Sequence, residues 1–229
     1  MNEILEQLEV RILDRFAADS SGHDVHHLRR VQRLALRIQE REGGERLVIA
    51  AAAILHDVHR IMQHERGRYV SPAESLPTIR AILDATDFPA DKIPRVLHCV
   101  EFHEEYGFSD GGVTAEDIET LILQDADNLD AIGAIGIART FAYAGVYGVP
   151  MYEPDIPLGR ETYDESDPPD PSTIHHFYSK LFKLKDNMHT QTAKEIAAGR
   201  HRFMERFVAL FLEEWGTSST EGSMKDRIP

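Results

Sequence analysis

The sequence predicts an all-α fold: one helical bundle interrupted by a long proline-rich loop. Three observations carry that reading. Apolar residues recur at helical spacing along most of the 229 residues. No segment alternates apolar and polar residues strongly enough to mark a strand. Breakers are concentrated, with six prolines between residues 145 and 172.

The elements follow in order. Residues 2–18 carry Ile4, Leu5, Leu8, Ile12, Leu13 and Phe16 on one stripe. Residues 24–42 repeat the pattern through Leu28, Val31, Leu34, Ala35 and Ile38, and stop at Gly43-Gly44. Residues 46–56 are apolar on nearly every side, the mark of a buried helix. Ser71-Pro72-Ala73-Glu74 is a start signal: a capping Ser, Pro at the first helical position and Glu three residues on. Further helices are predicted at 91–104, 114–126, 127–144, 174–187 and 191–214, with Thr114 and Thr192 as caps. Residues 1–215 read as one domain containing the loop 145–172, and 216–229 as a polar, flexible tail.

Composition narrows function. Thirty-nine acids against 25 bases give a net charge of −14. Such a chain lacks the basic face that nucleic acid or an anionic membrane requires. The single cysteine, Cys99, excludes an internal disulfide framework and fits a reducing compartment. The longest apolar run, 47–55, cannot span a bilayer, and the charged N-terminal stretch does not read as a signal peptide. A cytoplasmic location is expected. Residues 96–138 contain no Lys or Arg, whereas Arg29, Arg30, Arg33 and Arg37 form a run read as a solvated helix face. Twelve histidines in an acidic protein are the remaining oddity.

Three groups of residues can carry chemistry. His27 continues the apolar stripe of Val31, Leu34 and Ile38 and points inward. A core histidine is its plain alternative, and His23, four residues earlier, adds only a weak chelating pair. His56-Asp57 ends the most hydrophobic helix, where burying a carboxylate is costly unless it is paired or bound to a metal. Imidazole with carboxylate is the ligand mix of Mn²⁺, Fe²⁺, Co²⁺ or Zn²⁺. Finally, Asp125, Asp127 and Asp130 crowd an otherwise apolar segment. Periodicity does not say which of them faces the core, and a solvated acidic turn is the alternative.

The order His27, His56-Asp57, Asp127 resembles the H…HD…D signature of the HD-domain metal-dependent phosphohydrolases. Ser-Gly-His-Asp-Val-His-His-Leu-Arg-Arg-Val is similar to that family's first-ligand helix, and Asp125-Ala126-Asp127-Asn128-Leu129 to its last-ligand motif. Two longer segments, 124–139 and 176–185, are similar to small bacterial members of the YedJ/YpgQ type. The resemblance covers about residues 20–215. It implies an HD-domain helical bundle and a divalent ion, Mn²⁺ first, with Mg²⁺, Co²⁺, Ni²⁺, Fe²⁺ or Zn²⁺ as alternatives. The implied ligands are His27, His56, Asp57 and Asp127. Asp57 and His103 are the implied catalytic groups. Such an ion lowers the pKa of a water that attacks phosphorus. The implied substrate is a small nucleotide, and one implied reaction is cleavage of a (deoxy)nucleoside triphosphate to monophosphate and pyrophosphate. Lys180, Lys183 and Arg139 are candidates for holding its phosphates, 180 and 183 sharing a face if helical. Tyr147, Tyr152 and Tyr163 offer surfaces for a base, making the loop a lid. One departure concerns the turn after His103, which reads His103-Glu104-Glu105-Tyr106-Gly107. Two other readings are a non-catalytic nucleotide sensor with a retained metal site and a di-metal oxygenase using His98 and His103. A homo-oligomer is compatible with all three.

Overall fold

A computed structural model describes residues 2–16, 22–106, 117–159 and 170–216. Its helices are α1 (Asn2–Phe16), α2 (Val25–Glu42), α3 (Arg46–Leu55), α4 (Val58–Arg66), α5 (Pro72–Asp84), α6 (Ile93–Phe102), α7 (Ile118–Asp130), α8 (Gly133–Tyr147), α9 (Thr173–His176) and α10 (Gln191–Trp215). A 3₁₀ turn over Ala90–Lys92 leads into α6, and a π-turn over Phe177–Leu181 follows α9. The described residues contain no strand. Among them, no single helix is long and apolar enough to cross a membrane.

α3 is the axle. Every residue from Val48 to Leu55 is buried, because α1, α2, α6 and α7 surround it. The run Ala50–Ala53 has no bulk to hold neighbours away, so backbones pack closely and the burial is complete. α2 lies along both α3 and α7, and α10 closes the far side against α8, α2 and α7. α4, α5 and α6 form a smaller flank, α5 packing on both of the others.

Several boundaries differ from the expected ones. Residues 58–66 form a helix that is not among those expected. The break at 126/127 lies instead at Ala131-Ile132, and the chain there turns through 72° between α7 and α8. Gly133 makes the corner: its φ is +80°, and a Cβ would meet the Arg200 side chain at 2.9 Å. Asp117 caps α7 by accepting from the Thr120 N–H, and Thr190, not Thr192, caps α10 through the Ala193 N–H. Thr114 lies outside the described residues. The helix expected over 174–187 gives way after one turn to the π-turn, closed by the Phe182 N–H to the Phe177 carbonyl at 2.8 Å.

The loop begins later than expected, because α8 runs on to Tyr147 and stops at left-handed Gly148. Its described first part is tied down. The Pro150 and Met151 carbonyls accept from the Thr173 and Ile174 N–H groups at 2.9 and 3.0 Å. Tyr152 is buried against Phe211 and Trp215, so it offers no face to a base. Residues 160–169, with Tyr163, and the tail 217–229 lie outside the described residues.

Candidate metal centre

Asp24 caps α2 by accepting from the His27 N–H at 2.9 Å, which sets His27 in the first turn facing inward. His23 therefore precedes the helix rather than lying one turn earlier on it. α3 ends at Leu55 and α4 begins at Val58, so His56-Asp57 occupies the bend between them. Asp57 stands at the capping position of α4, yet its side chain caps nothing there. His103 ends α6.

On α7, Asp127 and Asp130 are three apart and share a face, while Asp125 points the opposite way. Asp125 accepts from the His189 N–H, the Thr190 N–H and the Thr190 hydroxyl at 2.7–2.8 Å, which fastens α10 to α7. Asp130 faces His27, whose Nδ1–H it accepts at 2.8 Å. The same carboxylate takes Arg30 in a two-pronged pair at 2.8 and 3.1 Å and Arg139 at 2.9 Å. Arg30 is thus turned inward, unlike the solvated face expected of its run.

Four side-chain atoms, His27 Nε2 among them, converge in a hub. That nitrogen is 3.2 Å from His56 Nε2, 3.2 Å from Asp57 Oδ2 and 3.5 Å from Asp127 Oδ1. His56 Nε2 is 3.6 and 3.8 Å from the same two oxygens. Atoms bonded to one ion at about 2.0–2.2 Å sit about 3–3.6 Å from each other at adjacent positions, so the spacing suits a shared cation.

The tautomers agree. A carbonyl can only accept, so Nδ1 carries the proton in His56 (to Ala53 O, 3.0 Å), His59 (to His56 O, 3.0 Å) and His103 (to Val100 O, 2.7 Å). When these rings are neutral, each Nε2 is a bare lone pair. Asp57 Oδ2 and His103 Nε2 are buried with no hydrogen-bond partner. A proton on His27 satisfies one neighbour at a time, whereas a divalent cation satisfies all four donors at once. The residues therefore fit the ion that their types suggest.

Electrostatics point the same way. Burial and Arg139 oppose charge on His27, but its hydrogen bond to Asp130 and the nearby Asp57 carboxylate prevail and raise its pKa. Burial would raise the Asp57 carboxyl; His56 and His27 instead hold it well below the usual carboxylate range. His103 lies deeply buried, and burial pushes it down to about 4. Asp127, with a fifth of its side chain exposed, opens the cluster to solvent.

The HD-domain family profile matches residues 24–132, the span that contains all four converging donors. The Bacillus subtilis protein YpgQ is 35% identical over 209 residues, covering 89% of each chain. The chain belongs to the HD-domain family of metal-dependent phosphohydrolases. Among solved structures of HD proteins and their relatives, a Lactobacillus plantarum protein superposes with a TM-score of 0.80 at 36% identity, covering 95% of this chain and 99% of that one. An HD-superfamily hydrolase from Bacillus thuringiensis gives 0.67 at 36% identity, over 94% and 98%. YpgQ itself, solved in complex with ADP, gives 0.65 over 92% and 97%.

The remaining candidates of this HD protein are scattered. Arg139 borders the four donors through Asp130, which holds one of its NH groups and itself accepts from His27. Lys180 lies 4.7 Å above the Tyr106 ring, three residues past His103. The π-turn removes the α-helical spacing that would align Lys183 with it. His98 is half exposed and pairs with Asp117 at 2.9 Å, away from the hub. Sequence reasoning assigned nothing to Asp130, His59 and Glu104. Asp130 stands in the acidic segment, but its partners Arg30 and His27 are 100 and 103 residues distant. His59 Nε2 faces Glu104 Oε2 at 3.4 Å, and Arg60 holds the other Glu104 oxygen.

Proposed function

We propose that this HD-domain phosphohydrolase acts on small nucleotides, with His27, His56, Asp57 and Asp127 holding its divalent cation. The convergence of those four donor atoms, 3.2–3.8 Å apart in five pairings, carries the reading. Mn²⁺ is the first choice for two imidazoles and two carboxylates, with Fe²⁺, Co²⁺, Ni²⁺, Zn²⁺ and Mg²⁺ behind it. Such a cation supplies Lewis acidity: it lowers the pKa of a water and offsets charge developing at phosphorus.

The chain's own residues do the rest. Asp130 fixes the His27 ring, so that Nε2 faces the hub. His103, neutral because it is buried, presents Nε2 as an acceptor beside His56, with ring centroids 5.1 Å apart. It is suited to orient a water as a hydrogen-bond acceptor, rather than to protonate a leaving group. Two carboxylates cancel the charge of one divalent ion, so a polyphosphate needs further cations. Arg139 and Lys180 stand nearest to that task, with Lys183 next in the chain. A nucleotide is favoured over other phosphate esters because the related YpgQ has been solved with ADP. Cleavage of nucleoside triphosphates to monophosphate and pyrophosphate is the specific reaction proposed.

The test is a panel of ribo- and deoxyribonucleoside mono-, di- and triphosphates offered to Mn²⁺-loaded protein, with phosphate and pyrophosphate separated by ion chromatography. Pyrophosphate from triphosphates is expected. Turnover of sugar phosphates or aryl phosphates with none of any nucleotide would overturn the nucleotide reading.

A further inference from the structure

α8 carries two tyrosines that take no part in the hub. Arg139, Tyr143 and Tyr147 follow one another at intervals of four, so they line one face of that helix. Tyr143 meets His23 edge-on, with ring centroids 6.1 Å apart, and His23 meets His27 at 5.7 Å. His27 in turn meets His56 at 5.2 Å. A row of rings therefore leads from the hub, past His23, out to Tyr143 and Tyr147. The chain before α2 comes this close to α8 because residue 22 is glycine. Its φ is +97°, and a Cβ there would meet the Arg139 side chain at 3.0 Å.

The outer end of the row is open to solvent. Tyr143 is 38% exposed and Tyr147 54%. Their centroids lie 4.4 Å apart with the planes 40° from each other, so the two rings form one broad surface. Val146 beside them is exposed as well. Arg139 is the only charged residue of α8, and Asp130 holds it. Exposed aromatic rings on an uncharged helix face mark a binding surface. Its position selects the occupant. A ligand that extends from the hub, past Arg139, to the tyrosines carries anionic groups at one end and a flat ring at the other. A nucleotide has that layout.

We infer that Tyr143 and Tyr147 are the stacking platform for the nucleobase, with Arg139 on the phosphate side of them. The inference rests on the proposed reading of the site as one that acts on nucleotides. Stacking reads the face of a base and not its edge, so such a platform accepts every base and grips purines harder than pyrimidines. The base is remote from the reacting phosphorus, so the contact belongs to ground state and transition state alike and appears in KM rather than kcat.

Calorimetry on Mn²⁺-loaded full-length protein compares ADP with inorganic pyrophosphate, which lacks sugar and base. The parent should bind ADP more tightly. The double variant Y143L/Y147L keeps apolar side chains at exposed positions and removes both rings. It should lower ADP affinity about 5- to 150-fold and leave pyrophosphate affinity unchanged. Y143F/Y147F should restore ADP binding, because the ring and not the hydroxyl makes the contact. With ATP as substrate, the leucine pair should raise KM by a similar factor at unchanged kcat. Circular dichroism melts confirm that the variants fold, and a merely structural effect would weaken both ligands together. Equal losses for ADP and pyrophosphate, an ADP preference that survives in the leucine pair, or no rescue by phenylalanine overturns the platform and leaves the nucleotide reading standing. A parent that binds ADP no better than pyrophosphate defeats the nucleotide reading, and the platform with it.

Discussion

Replacing Asp130 with Asn separates a positioning role from simple structure. The buried carboxylate accepts His27 Nδ1–H at 2.8 Å, both prongs of Arg30 at 2.8 and 3.1 Å, and Arg139 at 2.9 Å. D130N removes the negative charge that these groups share and leaves two guanidinium groups uncompensated in a nearly closed site. Breaking a buried ion pair in this way costs about 3–5 kcal/mol, so chelator-treated D130N should unfold at clearly lower denaturant. The hub should suffer separately. His27 exchanges a charged acceptor for a neutral amide that can present NH₂ in place of oxygen, so its tautomer is held less firmly, and losses of this kind lower metal affinity about 10–100-fold, equivalent to about 1.4–2.7 kcal/mol. Mn²⁺ titration by calorimetry, run well below the melting temperature of the variant, measures that loss directly. Lower stability with unchanged Mn²⁺ affinity would refute the positioning role and leave Asp130 a structural clamp only.

Other outcomes follow from the same geometry. Asp125→Ala strands three donors at the α7–α10 junction, should cost about 3 kcal/mol by chemical denaturation, and should leave Mn²⁺ affinity unchanged; a parallel loss of affinity would contradict the outward orientation of Asp125. Gly136→Ala would set a Cβ 2.2 Å from the Ala131 carbonyl oxygen, forcing the α7–α8 corner to shift at about 1–3 kcal/mol, read as a lowered Tm. His103 is held near 4 rather than its ordinary 6.5, so the unfolded chain binds more protons between those values. The His103 contribution to metal-free stability should therefore fall as pH drops from 6.5 to 4, by about 3 kcal/mol at 1.36 kcal/mol per pH unit. H103Q should flatten that slope, and an unchanged slope would count against a neutral, buried His103.

Much of this was legible in the chain, for physical reasons. The run 46–56 is apolar on all sides, and α3 is the buried axle. His27 extends an apolar stripe, and its ring is buried. The expense of an Asp after Ala-Ala-Ala-Ile-Leu-His points to the site, where Asp57 now lies. The helix α4 was readable from Val58, Ile61 and Met62 with Gly67 beyond, but the polar residues among them hid it. The α7–α8 break was not readable, because apolar residues surround Asp125, Asp127 and Asp130 and periodicity has nothing to select. All three lie on α7 because the break comes after them, and the packing of α7 against α2, α3 and α10 sets which carboxylate faces which neighbour. Pairings such as Arg30 with Asp130 and His59 with Glu104 join residues 100 and 45 positions apart, and no local pattern encodes them. The acid excess has acquired a place as well: Arg60, Arg30, Arg139 and Arg95 come from elsewhere to pair with Glu104, Asp130 and Glu119 in the base-free stretch 96–138.

The central claim is that His27, His56, Asp57 and Asp127 hold the cation on which hydrolysis depends. Its most direct test is nucleoside triphosphate turnover by chelator-stripped protein, before and after Mn²⁺ is restored, in the parent and in D57A and D127A. The account predicts no turnover without metal, recovery on adding Mn²⁺ to the parent, and no recovery in either variant. Turnover by the stripped protein, or full recovery in folded D57A or D127A, would contradict it.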